Sequence, residues 1–246
     1  MINTETIIFI LRLLFIAIVA YLLGSINTSI IVGKVYGIDI RKEGSGNAGL
    51  TNTLRTLGKR AALVVLTGDI LKGVISILLA KVMAPVLTTQ VIIGDTLIDV
   101  PNVYTELAMQ IAGVAVVLGH IFPVFYKFKG GKGVLTSITV ILMTEWQVGL
   151  ACLAVFSVTV LFTRYVSLGS VLAAFSCPFF LIAFEQYIPV DVMTDTLSWI
   201  IFNVILAVIV IFGHKGNIVR LFNNTERKLG EKKEAYEERI KKLETK

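Results

Sequence analysis

Four clusters of polar residues in this 246-residue chain have the composition and spacing of groups that hold an anion. The first runs from Asp39 to Arg55 and includes Gly44, Ser45, Gly46, Asn47, Ala48, Gly49, Leu50, Thr51, Asn52, Thr53 and Leu54. Its glycines let the backbone turn N–H groups and hydroxyls toward an anion without side-chain obstruction, and Arg55 adds a two-pronged phosphate contact. A plain Gly-Ser connection would lack this density of Asn, Thr and Arg. The second cluster opens at Gly119-His120 and closes on Lys129-Gly130-Gly131-Lys132-Gly133-Val134. It reads as a phosphate loop running into a helix, where free N–H groups and the helix dipole favour a dianion. Lys132, enclosed by three glycines, supplies the charge, whereas Lys127 reads as a membrane-surface anchor. The third, Thr163 to Ser170, places Ser167 and Ser170 near a helix start, suited to capping or to ligand contact. The fourth begins at His214 and continues through Asn217 and Arg220 to Glu226; a helix here would put His214 and Asn217 on one face.

Several chemistries are excluded by the same residues. Tyr126 stands where a Walker A loop needs its first glycine, and Gly133 follows Lys132 where that loop needs Ser or Thr, so nucleotide binding gains no support. The chain has no Gly-x-Ser-x-Gly elbow and no His/Cys set with zinc spacing, so no metal site is expected. The His-x4-Asp pattern of many acyltransferases is also missing, since Phe125 and Val219 occupy the fifth position after His120 and His214. Cys152 and Cys177 lie in apolar stretches and read as buried packing residues. Asp69 and Lys72, three apart in an apolar helix, are expected to face the interior and pair; a place lining the site is the alternative.

The elements that must position these clusters are membrane helices. The chain is 55% hydrophobic and 16% charged, with a mean hydropathy of +0.81, whereas a soluble domain is about 45–50% apolar and about a quarter charged. Residues 7–23 form a run of 17 interrupted only by Arg12, long enough for a bilayer core of roughly 30 Å at about 1.5 Å per residue. It has no basic leader and no cleavage site, so it reads as a first membrane helix rather than a signal peptide. Further runs cover 61–87, 106–122, 134–144, 147–162, 168–184 and 197–212. Two are short, 134–144 and 147–162, with Glu145 between them; they are either two crossings or one re-entrant hairpin. The fold expected is all-α, a polytopic membrane helix bundle of about seven transmembrane helices (two short) over residues 1–222, followed by a charged tail over 223–246. That tail is expected to be a solvated helix or a disordered segment attracted to anionic lipid heads.

Orientation follows from the basic residues. Of 23 Lys and Arg, all but Arg12, Lys72 and Lys81 fall in segment 24–60, the second cluster, Arg164 or the segment after Phe212, while the alternate loops hold Asp95, Asp99, Glu145, Glu185, Asp191 and Asp195 with no Lys or Arg. The positive-inside rule then puts the N-terminus outside and the C-terminus in the cytoplasm, with every glycine-rich cluster on the cytoplasmic side. The net charge of +6 and pI near 9.3 therefore do not make a basic face for nucleic acid. The absence of an internal repeat counts against a transporter.

In order and content, GSGNAGLTNTLR, GHIFPVFYKFKGGKGV, TRYVSLGS and HKGNIVRLFNNTE resemble the motifs of the bacterial acyl-phosphate:glycerol-3-phosphate acyltransferase family. The likeness spans about residues 24–226. Leu50 stands where the family has alanine and Asn27 where it often has proline; neither change touches a group with chemistry. The resemblance implies an integral membrane enzyme that moves a fatty acyl group from acyl phosphate to the 1-hydroxyl of glycerol 3-phosphate, giving lysophosphatidic acid and phosphate. Its partners would be those two substrates and membrane lipids, with no cofactor. Carried over, it makes Ser45, Arg55, Lys132, His214 and Asn217 the catalytic set and Gly130, Gly131, Gly133, Ser167 and Ser170 the phosphate-binding set, with Glu226 as a structural glutamate. His214 is either a general base or a group that orients substrate while the acceptor's own phosphate takes the proton.

Overall fold

The computed structural model describes residues 4–93, 96–184 and 196–244, and it divides into two compact units, Met1–Thr144 and Glu145–Lys246. In the first unit, α1 (Thr4–Ser25) leads into α2 (Thr28–Val35), which Asn27 caps by accepting the Ile30 N–H at 3.1 Å. The short α3 (Leu50–Leu57) turns at Gly58, with φ 84°, into the long α4 (Lys59–Met83). Then come α5 (Thr105–Ile121) and the 11-residue α6 (Val134–Thr144).

Helix α1 packs chiefly on α5, and α4 on both α5 and α6. Glycine makes the closest of these crossings. A methyl group on Gly24 would strike the Val116 carbonyl oxygen, and one on Gly119 would strike that of Tyr21. Backbone therefore meets backbone between α1 and α5, the small-residue contact by which helices associate in lipid, where water gives no hydrophobic push. Buried alanines and valines such as Ala20, Ala108, Ala112, Val116 and Val117 fill the remaining space.

The second unit contains α7 (Trp146–Thr163), α8 (Val166–Phe184), α9 (Thr196–Gly213), α10 (Lys215–Phe222) and α11 (Lys233–Glu244). Its core holds a polar tie. Buried Asn203 on α9 donates to both carboxylate oxygens of Glu145, at 3.1 and 2.9 Å, and accepts from the Cys177 thiol at 2.9 Å. Glu145, expected in the loop between two apolar segments, immediately precedes α7 and is buried and hydrogen-bonded.

Among the described residues, six stretches are long and apolar enough to cross a membrane: Thr4–Val35, Lys59–Met83, Thr105–Tyr126, Trp146–Thr163, Val166–Phe184 and Thr196–Gly213. Their outward faces carry large apolar side chains, including Leu161 at 75%, Phe162 at 81% and Phe212 at 64% exposure. Such faces suit hydrocarbon and not water. Val134–Thr144 is apolar but shorter. The expectation that 147–162 is short is corrected, because Trp146 and Thr163 extend that helix to 18 residues.

The all-α expectation is corrected in one place. Val86–Ile93 and Thr96–Val103 form a two-stranded antiparallel hairpin, β1 and β2, in register from Val86 opposite Val103 to Ile93 opposite Thr96. Both segments are rich in β-branched residues and are separated in sequence by Gly94 and Asp95, which lie outside the described residues. That composition favours strands over an irregular loop. Expectations resting on Glu185, Asp191 and Asp195 also lie outside the described residues.

Candidate functional site

In the first unit, two glycine-rich loops close against each other. The first is organised by Asn52, which is 1% exposed on α3. Its Nδ2 donates to the Ile40 and Glu43 carbonyls at 3.0 and 2.9 Å, and its Oδ1 accepts the Ser45 N–H at 2.8 Å. The Gly46 N–H donates to the Glu43 carbonyl, and the Gly49 N–H to that of Asn47. These N–H groups hold the loop in shape, which corrects the reading that they point at an anion. What the loop presents is the exposed Ser45 and the half-buried Arg55.

The second loop folds back over the end of α5. The Gly130 N–H donates to the Ile121 carbonyl at 3.0 Å and the Gly131 N–H to that of His120 at 3.1 Å. Both acceptors belong to the last turn of α5, whose carbonyls have no partner within the helix. So Gly130 and Gly131 are not free N–H donors either; they are glycines because of close approach. A methyl on Gly130 would strike the His120 carbonyl oxygen and lie 2.6 Å from Pro123 Cδ, and one on Gly131 would sit 2.5 Å from the Ala48 carbonyl oxygen. That last contact brings the two loops together, and Arg41 adds a bond from Nη1 to the Tyr126 carbonyl at 3.2 Å. Gly133, with φ 77°, turns the chain into α6. Donors for an anion are then the first-turn N–H groups of α6, which have no intrahelical acceptor, with the half-buried Lys132 beside them.

Beneath this loop is a buried trio that the sequence only half reveals. Lys72 Nζ lies 2.8 Å from Asp69 Oδ1, as the three-residue spacing predicts, and 2.7 Å from Nδ1 of His120 on α5. It also reaches the Gly24 carbonyl at 3.4 Å. An ammonium can only donate, so Nδ1 of His120 is the acceptor and Nε2 carries the hydrogen. A methyl on Gly131 would collide with that Nε2. The trio therefore links α1, α4 and α5 to the floor of the loop. The motifs alone give His120 no role, and nothing in its local pattern points to a lysine 48 positions away.

In the second unit, the third and fourth clusters converge on one carboxylate. Glu226, 6% exposed, accepts from Ser167 Oγ at 2.9 Å and Asn217 Nδ2 at 2.7 Å through Oε1, and from Arg220 Nε at 2.7 Å through Oε2. Burial alone would raise the Glu226 pKa, but the bonds from Asn217, Arg220 and Ser167 outweigh it and hold the carboxyl below its ordinary value. Ser167 thus serves Glu226 rather than capping α8, and Ser170 Oγ donates back to the Val166 carbonyl at 2.9 Å. His214 precedes α10, with Nδ1 2.8 Å from the Val210 carbonyl. A carbonyl only accepts, so neutral His214 is protonated on Nδ1 and Nε2 is its acceptor nitrogen. His214 and Asn217 are both buried at the start of this helix.

Fold and site together define a polytopic helical membrane protein with two interlocked anion-suited loops in one unit and an ordered His/Asn/Ser/Glu group in the other. The family model for glycerol-3-phosphate acyltransferase matches residues 14–224. The chain is 44% identical to the glycerol-3-phosphate acyltransferase of Clostridioides difficile (strain 630), across 89% of this chain and 96% of that one. It is 42% identical to that of Thermoanaerobacter sp. (strain X514), with the same coverage. Among solved structures it is similar to PlsY (YgiH), an integral membrane glycerol 3-phosphate acyltransferase, in its glycerol 3-phosphate form: 34% identity, TM-score 0.70, covering 89% of this chain and 96% of that one. The lysphosphatidic acid form of PlsY gives a TM-score of 0.68. The chain belongs to the glycerol-3-phosphate acyltransferase family. It is an integral membrane acyltransferase of phospholipid synthesis.

Proposed function

We propose that the acyl donor is an acyl phosphate and that the product is lysophosphatidic acid, the first step of phospholipid synthesis. The 1-hydroxyl oxygen of glycerol 3-phosphate attacks the acyl carbonyl carbon, the bond from that carbon to the phosphate oxygen breaks, and inorganic phosphate leaves. The observation that carries this reading is the closure of the Ser45 loop on the Gly130–Gly133 loop through Gly131 and Ala48. Arg55, which follows the first loop in sequence, Lys132, within the second, and the helix-start N–H groups of α6 suit phosphoryl groups, and both proposed substrates carry one. A mixed anhydride is already activated, so no covalent acyl-enzyme is needed; positioning and oriented donors around the developing oxyanion are sufficient.

In this reading Ser45, Arg55 and Lys132 bind and neutralise phosphate, Gly133 and the start of α6 supply backbone donors, and Gly130 and Gly131 allow the loop to close. Ser167 and Ser170 offer hydroxyl oxygens, and Glu226 holds Asn217. His214 and Asn217 orient the acceptor, while the acceptor's own phosphate takes the hydroxyl proton. The N-terminus lies outside and the C-terminus in the cytoplasm, with these residues on the cytoplasmic side; the odd crossing count follows when the shorter Val134–Thr144 crosses along with the six long stretches.

Purified protein mixed with palmitoyl phosphate and labelled glycerol 3-phosphate tests the donor, with palmitoyl-CoA run alongside. Labelled lysophosphatidic acid is expected from the acyl phosphate only. Product from palmitoyl-CoA alone would overturn the donor, and no labelled product from either would overturn the reaction.

A further inference from the structure

The helix at the chain's C-terminal end is built into the loop that carries Glu226. Tyr236 on α11 donates its hydroxyl to the Thr225 carbonyl at 3.1 Å. Arg239, one turn on, donates to the carbonyls of Glu226, at 2.9 Å, and Asn224. The same guanidinium is seated on the Glu231 carboxylate, with Nε 3.0 Å from Oε1 and Nη2 3.2 Å from Oε2. Glu231 in turn accepts the Lys228 N–H at 3.0 Å, and its carbonyl accepts from Arg227 at 2.8 Å. The guanidiniums of Arg227 and Arg239 lie 5.8 and 5.5 Å from the Tyr236 ring. From the other side, the loop is held by the turn between α7 and α8: the Leu229 N–H and carbonyl both bond to Arg164, the carbonyl at 2.7 Å from Nη2.

This arrangement is unlike a solvated charge run. An exposed lysine-glutamate helix would pair its charges along its own face, as Lys242 and Glu238 do, whereas Arg239 turns inward to three separate acceptors of the preceding loop. The backbone that it fixes is that of residues 224–226, directly beneath the carboxylate to which Ser167, Asn217 and Arg220 donate. The family model's match ends at residue 224, so the helix lies beyond it.

We propose that α11 is a brace for acyl transfer and that Arg239 is a positioning residue, setting Glu226 and through it Asn217 and Ser167. The inference rests on the reading that Asn217 and Ser167 meet substrate. Arg239 reaches the reaction only through the loop, so its loss displaces Asn217 without removing any group that binds substrate. A small displacement of an orienting group is costly, so Arg239→Ala is expected to raise the KM for glycerol 3-phosphate about tenfold, with kcat changed by less than about threefold. Arg239→Lys, whose single ammonium cannot serve three acceptors in a fixed fork, falls between that variant and wild type. Tyr236→Phe, which loses only the bond to Thr225, raises KM by about twofold to threefold. Glu238→Gln, on the exposed face of the same helix, leaves both constants unchanged.

The full-length proteins are compared by steady-state kinetics and thermal midpoint, with Asn217→Ala as the reference for the site. If Asn217→Ala keeps full activity, the site reading itself fails. If Asn217→Ala is impaired while Arg239→Ala only lowers the midpoint, leaving both constants at wild-type values, the brace is merely structural and the proposal is overturned. Should Arg239→Ala not fold, Arg239→Lys and Tyr236→Phe decide: a raised KM supports the brace, and an unchanged KM in both overturns it.

Discussion

At the scale of single residues, the assignment of the proton rests on two groups whose environments differ. Neutral His214 gives its Nδ1 hydrogen to the Val210 carbonyl, which fixes the ring without making its Nε2 an obligatory base. Glu226 is held below the ordinary carboxyl value by its three donors. A carboxyl with a lowered folded-state pKa contributes stability above its unfolded value, near 4.3, and loses it as pH falls through the depressed folded value. One experiment reads both residues, a pH–rate and pH–stability profile for wild type, His214→Ala and Glu226→Gln. We expect His214→Ala to be slower at every pH while its profile keeps the wild-type shape between about pH 6 and 7, the range in which a histidine base would titrate; a limb there that the variant lacks would make His214 the base. We expect Glu226→Gln to be destabilised by about 2 kcal/mol at neutral pH, the scale of hydrogen bonds to a charged group, with the deficit shrinking only below about pH 4. A gap that closes already near about pH 6 would contradict the low Glu226 pKa.

Elements show what could be read from the sequence and what could not. The spans were legible because an apolar run of membrane length is rarely anything but a membrane helix, and the start of α6 was legible from Gly130-Gly131-Lys132-Gly133. The use of the glycines was not. A glycine that frees an N–H and one that admits a carbonyl look identical in sequence, and only the return of the loop onto α5 separates them. Asn52 was legible as a polar member of its cluster, but its place at the centre of the Ser45 loop depends on three partners from two sides. The pairing of Asp69 with Lys72 followed from spacing on one helix; His120 joined from another helix, which no local pattern signals. The β1–β2 hairpin was legible in principle, since β-branched runs flank Gly94-Asp95, but the helical pattern on both sides masks it. The loop geometry yields its own prediction. Gly131→Ala forces a methyl against the Ala48 carbonyl, so the two loops must separate, and kcat/KM is expected to fall by about tenfold or more. Wild-type kinetics in that variant would show that the closure has no part in the reaction.

Over the whole molecule, the excess of basic residues has two uses that composition cannot distinguish. In the proposed reading most set orientation, and a few, Arg55 and Lys132 foremost, meet anions. Arg239 adds a third, internal scaffolding. Orientation is testable because both native thiols, Cys152 and Cys177, are buried and give little background. A membrane-impermeant maleimide is expected to label Lys233→Cys, a site with a 75% exposed side chain, in inverted vesicles only, and Asp99→Cys in right-side-out vesicles only. The reverse pattern would place the phosphate loops outside the cell. The glycine crossing of α1 and α5 bears on how the protein is made. Gly119 follows Gly24 in the chain, so the close approach at Gly24 cannot form until α5 has been synthesised. The backbone-to-backbone seal thus waits for the third of the six long spans, and it falls next to His120 and the loop above it. The end of the first unit that carries the two glycine loops is completed by the same step that locks α1 in place.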